Sequence, residues 1–205
     1  MSAPESNIIN LRPEAPVVEP ERPCWGVYEH WVVNEKGRKL RPGVYWHGFK
    51  RQAEQEGDDE SARPIVDDWI STPVTVTART TNSDNGSQGR LLRLATEGGI
   101  KEWIIAMEVF GGSGEDARRA LFGMGVIIAL KKRGAFMEYL LEQRPREVFA
   151  TTSRPGWHES GAFVLPGHTL GSDKVRYQAG NGAQTLFSRR GELERWQTEV
   201  AALCA

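Results

Sequence analysis

The sequence predicts an α+β fold: a mostly antiparallel sheet with two or three packed helices and a C-terminal amphipathic helix. Three observations carry that prediction. From about residue 25 to residue 106, apolar residues alternate or cluster in short β-branched and aromatic runs bounded by Gly, Asn and Pro. From Glu115 to Gln143 the period becomes helical. After Glu147 short strand-like runs return, and the final stretch sets Leu193, Trp196, Val200 and Leu203 on one helical face. Helices gathered on part of a sheet satisfy that order of elements.

Residues 1–22 are rich in Pro and Glu and are expected to form a flexible tail, with Ile8-Ile9 and Val17-Val18 as small apolar knots. Residues 23–190 are expected to form the α+β domain, and residues 191–205 its C-terminal helix. Trp25 to Val33 reads as a strand, Asn34-Glu35-Lys36-Gly37 as a turn, and Val44-Tyr45-Trp46 as the returning strand. A polar, acidic loop follows from Gln52 to Arg63. Ile65 to Ile70 and Val74 to Thr81 are strand-like, the second alternating Val74, Val76 and Ala78 against Thr75, Thr77 and Arg79. Asn82-Ser83-Asp84-Asn85-Gly86 is a turn, and Arg90 to Ala95 with Lys101 to Ala106 form a hairpin about Glu97-Gly98-Gly99. Helices are expected over Glu115 to Met124 and Lys132 to Gln143, the second with Phe136, Met137, Leu140 and Leu141 in helical spacing. Strands are expected again at Glu147 to Thr151, Gly161 to Leu165 and Lys174 to Gln178.

With 205 residues, of which 39% are hydrophobic and seven are Trp, the chain can bury a full core. A formal net charge of −1 gives the whole molecule no pull on nucleic acid. The charge is uneven, though: residues 111–156 hold eight basic side chains against five acidic ones. The two cysteines, Cys24 and Cys204, form no CxxC pair, which argues against a thiolate zinc site and a disulfide framework. Residues 1–22 carry no apolar signal-peptide core, and no apolar run reaches the roughly 18–20 residues of a membrane span. A cytoplasmic protein with no membrane partner is the expectation.

No motif announces catalysis. Gly111-Gly112-Ser113-Gly114 precedes a helix, but the spacing is not G-x-G-x-x-G, and Glu115 and Asp116 would repel a phosphate there. They read as first-turn carboxylates that complement the helix dipole. A Walker A loop and a G-x-S-x-G elbow are absent. The four histidines, His30, His47, His158 and His168, show no metal-ligand spacing, and Asp67-Asp68 on a strand point to opposite faces. No cofactor, metal or catalytic residue is assigned.

Binding is easier to place. Lys131-Lys132-Arg133 sits at a helix start, the unfavourable end for cations, which hints at an outside use. Arg118-Arg119, Arg189-Arg190 and Arg38-Lys39-Leu40-Arg41 add further positive spots, with Trp157, Trp46 and Tyr45 as candidate platforms. Phosphate contacts need surface Lys and Arg, and single strands also use aromatic platforms. The candidate nucleic-acid contacts are Lys131, Lys132, Arg133, Arg154, Trp157, His158, Arg189 and Arg190.

The segment from Thr152 to Gly167 concentrates these features. Pro155-Gly156 is a turn, Ala162-Phe163-Val164-Leu165 a buried strand, and Pro166-Gly167 its stop. Trp157 and His158 then stand at the mouth of a hairpin. The structural expectation is that Trp157 plugs the sheet edge while His158 bonds a backbone carbonyl; the alternative is a contact surface.

Arg154-Pro155-Gly156-Trp157-His158 followed by Gly161-Ala162-Phe163-Val164-Leu165-Pro166 resembles the bacterial family called domain of unknown function 927. So does the C-terminal stretch Leu193-Glu194-Arg195-Trp196 with Val200-Ala201-Ala202-Leu203-Cys204-Ala205. The resemblance implies a place on phages, plasmids and other mobile elements, ahead of a helicase-like P-loop ATPase half that these residues do not include. It implies an accessory role: binding single-stranded or duplex DNA, the ATPase domain or a replication protein beside a motor. A protein–protein or oligomerisation module without nucleic-acid binding is the alternative, suited to aromatic content with near-zero net charge. A small-molecule enzyme using His158 and a carboxylate would need a concave pocket around that histidine.

Overall fold

The computed structural model describes residues 15–50, 64–166 and 168–178, together with Glu192, Glu194 and Arg195. In chain order the strands are β1 (Val17–Val18), β2 (Cys24–Tyr28), β3 (Val32–Asn34), β4 (Lys39–Leu40), β5 (Gly43–Phe49), β6 (Ile65–Ser71), β7 (Val74–Asn82), β8 (Gln88–Thr96) and β9 (Gly99–Ala106). Helices α1 (Glu115–Gly123) and α2 (Arg133–Glu142) follow, then β10 (Val148–Thr152), β11 (Gly156–Trp157), β12 (Phe163–Leu165), β13 (His168–Leu170) and β14 (Val175–Tyr177).

This corrects the expected fold class. The described residues are mostly sheet with only two α-helices, not an α+β fold with two or three packed helices. Nine of the fourteen described strands precede α1. Beyond α2 the runs between Pro145, Pro155, Gly156, Gly161, Pro166 and Gly171 are long enough only for further short strands, so α1 and α2 remain a minor part of the described residues. Of the helix expected over 191–205 only Glu192, Glu194 and Arg195 are described, and Glu194 and Arg195 are helical. The pairing is also less uniformly antiparallel than expected, because β1 joins β3, and β10 joins both β7 and β14, in parallel.

The chain divides into two compact units, Met1–Thr77 with Arg90–Pro145, and Ala78–Gly89 with Arg146–Ala205. The β7–β8 hairpin gives its base to the first and its tip to the second.

In the first unit, β2, β5 and β6 form an antiparallel sheet. The single strand expected from Trp25 to Val33 is two, β2 and β3, broken at Glu29–Trp31. The turn at 34–37 joins β3 to β4, with Gly37 at φ +74°. Val17-Val18, read as part of the tail, pairs with Val33 and Asn34. The core gathers Val44, Ile70, Val74, Leu92, Leu94 and Ile105 from strands with Leu121, Phe136, Tyr139 and Leu140 from the helices. The buried face of α2 runs through Phe136, Tyr139 and Leu140, the i, i+3, i+4 stripe of a packed helix, and leaves Leu141 exposed.

The ends of α1 follow from its glycines. Gly114 takes φ +64° at the N-cap, with Glu115 and Asp116 in the first turn. At the other end Gly125, at φ +94°, lets Val126 N–H reach the Leu121 carbonyl and Gly125 N–H the Phe122 carbonyl. That is a Schellman closure, sealed by the buried pair Val126 and Leu121.

In the second unit, the β7 residues from Arg79 to Asn82 pair in parallel with β10, and β10 pairs in parallel with β14. Parallel neighbours need a crossover, and the antiparallel meander β11–β12–β13 supplies it. Ala162 and Val164 of that crossover are fully buried, packing with Val175, Ala150 and Tyr177.

Candidate functional site

The second unit brings Arg154, Trp157 and His158 together. They line an open polar cleft of about 210 Å³ with Ser83, Asp84, Thr152, Pro155 and Glu159. This is below the ~300–1,000 Å³ of common small-molecule sites, so the cleft suits one small group rather than a whole cofactor.

The walls hold themselves in place. Asp84, on the tip of the β7–β8 hairpin, accepts from Ser153 N–H at 2.8 Å, from the Ser153 hydroxyl at 2.8 Å and from the Thr152 hydroxyl at 3.1 Å. The Ser153 N–H, then its hydroxyl, then Thr152 and Arg154 hold the Asp84 carboxyl below the usual carboxylate range. The tip itself is fixed by Asp84 N–H donating to Asn82 Oδ1 at 2.7 Å and by Gly86 at φ +73°. His158 Nε2 lies 2.9 Å from the Ser83 hydroxyl, and Nδ1 lies 2.8 Å from that of Ser160.

Trp157 overturns the structural expectation. It pairs with Phe163 across β11 and β12, but its side chain is not a plug: the residue is 79% exposed. Phe163 meets the ring in a T-shaped contact at 5.2 Å, which orients the indole without burying it. His158 bonds serine hydroxyls, not a backbone carbonyl, through its ring. The Arg154 side chain is 83% exposed, with only a 3.7 Å approach of Nε to Asp84.

The other candidates are not gathered there. Lys131 and Lys132 end a 3₁₀ turn and Arg133 begins α2, all in the first unit. Lys132 Nζ pairs with Asp68, which answers the charge mismatch at that helix start. Arg189 and Arg190 lie outside the described residues. Among the described residues no cluster of three His, Cys, Asp or Glu side chains could hold a metal ion. No helix among them is long and apolar enough to cross a membrane.

A second polar constellation, in the first unit, escaped the sequence reading. Across β2, β5 and β6, His47 Nδ1 lies 2.7 Å from Asp67 Oδ1, and His47 Nε2 lies 2.9 Å from the Tyr28 hydroxyl. With the carboxylate accepting from Nδ1–H, Nε2 accepts from the phenol. Asp67 also takes Asn34 Nδ2 at 2.7 Å and Arg22 at 2.7 Å, and Arg22 reaches Glu35 at 2.6 Å. Burial pushes the Asp67 carboxyl up, but His47, Asn34 and Arg22 outweigh it and hold it below the usual range. Burial raises the Tyr28 phenol, so it is not poised as a phenolate. The alternation at Asp67-Asp68 carried the signal: one carboxylate faces His47 and the other Lys132. Every charge here is answered from within, the mark of a structural network.

The family model described as Domain of unknown function (DUF927) matches residues 36–205. No curated protein matches the chain. Among solved structures, one titled "SCCmec type IV Cch - active helicase" is similar at 14% identity and a TM-score of 0.42, over 67% of this chain and 24% of that one. The chain thus spans about a quarter of that structure's length, and the likeness is too loose to carry an argument.

Proposed function

Because the chain belongs to the domain of unknown function 927 family, we propose that it is a non-catalytic accessory domain beside a helicase-like P-loop ATPase. In this reading it holds nucleic acid through the Arg154–Trp157–His158 corner. The observation that carries it is Trp157, 79% exposed on an ordered corner next to a solvent-exposed guanidinium. A large aromatic kept in water beside a guanidinium supports the reading of this corner as a contact surface, since Trp and Arg are among the side chains most enriched in binding hot spots.

Fluorescence anisotropy with single-stranded and duplex DNA across a salt series tests the reading. Binding that weakens as salt rises is expected, because any phosphate contact releases counterions. No binding at low salt overturns it.

A second reading, a protein–protein module, is favoured by the first unit. Ile127 and Leu130 are 57% and 71% exposed, next in sequence to exposed Lys131 and Arg133. Light scattering after size exclusion would reveal self-association through such a surface.

A further inference from the structure

We infer that the cleft of the second unit takes an unpaired nucleobase of a single strand, stacked on Trp157 and read at its edge by Arg154 and Glu159. This rests on the nucleic-acid reading above and adds which part of the nucleic acid is held.

The argument is one of matching chemistry. A phosphate offers acceptors only, and a socket for it gathers cations and N–H groups. This cleft instead sets one cation, Arg154, beside two carboxylates, Asp84 and Glu159. Asp84 is spent on the loop, since both its oxygens accept from Thr152 and one of them also from Ser153. Glu159 stays exposed at the rim. A guanidinium and a free carboxylate at one mouth make a mixed donor–acceptor pair. The edge of a nucleobase carries donors and acceptors side by side, which Arg and Glu recognise in turn.

The remaining walls agree. Trp157 is 79% exposed and meets Phe163 in a T-shaped contact, which leaves indole surface for a base to lie on. Ser83 and His158 satisfy each other, so the floor needs no ligand to complete it, and stacking supplies the affinity. The volume fits one planar group. Duplex DNA hides both base faces and the pairing edge, and so cannot use the cleft.

The test uses a single-stranded oligonucleotide carrying one 2-aminopurine, whose fluorescence falls on stacking, and the same sequence as a blunt duplex. The full chain is expected to quench the single strand and to bind the duplex far more weakly. Its dependence of log K on log salt should be shallow, no steeper than about −0.7, equivalent to one phosphate at most. Trp157→Ala should weaken single-strand binding at least fivefold and abolish quenching, and Trp157→Phe should restore most of both. Equal binding of duplex, a steep salt slope, or a neutral Trp157→Ala would overturn the inference while nucleic-acid binding stood. Failure of both probes at low salt would remove the nucleic-acid reading as well. Unchanged melting of Trp157→Ala separates lost contact from lost fold.

Discussion

Asp84 accepts both the backbone N–H and the hydroxyl of Ser153, each at 2.8 Å, from 69 residues away in sequence. The loop that presents Arg154 is therefore tied to a hairpin tip from the middle of the chain, in addition to the Arg154 N–H donating to the Thr152 hydroxyl at 3.1 Å. Asp84→Ala should leave the Ser153 N–H and the Thr152 hydroxyl without that acceptor. Amide exchange at Ser153 and Arg154 is expected to rise about tenfold, in line with ~1–1.5 kcal/mol per hydrogen bond. Asp84→Asn, which keeps an acceptor oxygen, should do less. Unchanged exchange in the alanine variant would show that the loop needs no such tie.

Acid should loosen both units through named carboxylates. Asp84, Asp67 and Glu35 each have a folded pKa held below the unfolded value. Each therefore binds its proton more readily when unfolded, and its stabilisation is complete above the ordinary carboxylate range. That stabilisation drains away as pH falls through the folded values. Melting temperature measured downward from neutral pH should hold steady and then fall in the acid range. A melting temperature that rose on acidification would contradict this sign.

Asp67 is the most demanding position. Its side chain is 3% exposed, against 6% for Arg22 and 0% for His47. Asp67→Ala removes the common partner of His47, Asn34 and Arg22 and should cost about 3 kcal/mol, because a buried imidazole and amide lose their acceptor and the guanidinium keeps only Glu35 as its carboxylate. Chemical denaturation would read this as a lower midpoint at similar slope. A loss under about 1 kcal/mol would mean that the network does not hold the first unit together.

Gly26 tests the same network from the backbone. A Cβ there would stand 2.7 Å from His47 Nε2 and 2.8 Å from the Tyr28 hydroxyl. Since His47 is fully buried, Gly26→Ala should cost about 1–3 kcal/mol, as overpacking does. Gly37→Ala provides the contrast: nothing lies within 4 Å, and only the positive φ of +74° opposes it. Its cost should stay near ~1–2 kcal/mol and leave the Tyr28–His47 contact intact. Equal spectroscopic change at Tyr28 in both variants would refute the steric argument.

Tyr139 is 1% exposed and donates its hydroxyl to the Val74 carbonyl at 2.7 Å. Tyr139→Phe should lose roughly 1 kcal/mol while the ring keeps its edge contact with Trp25 at 5.4 Å. A thermal melt is enough to check it, and a loss several times larger would point to a rearranged core.

What could be read from the sequence was local. The period of Phe136 and Leu140 marks α2, the alternation of Val74, Val76 and Ala78 marks β7, and Arg154, Trp157 and His158 are near neighbours along the chain. What could not be read depends on distant partners. Asn82-Ser83-Asp84 looks like any polar turn until β10 pairs beside it in parallel and aims Asp84 at Ser153. Likewise His47 and Asp67 meet only through the β5–β6 register. The exposure of Trp157 was misjudged because hydrophobicity alone cannot distinguish a ring that plugs an edge from one that overhangs it.

The placement of β10 between β7 and β14 bears on how this protein can be cut. One of its neighbours comes from the middle of the chain and the other follows it. A fragment starting at residue 146 would carry a strand stripped of one flank and a loop deprived of Asp84. No single boundary frees the second unit. Truncations meant to isolate it should instead graft residues 78–89 onto it, or leave the chain whole.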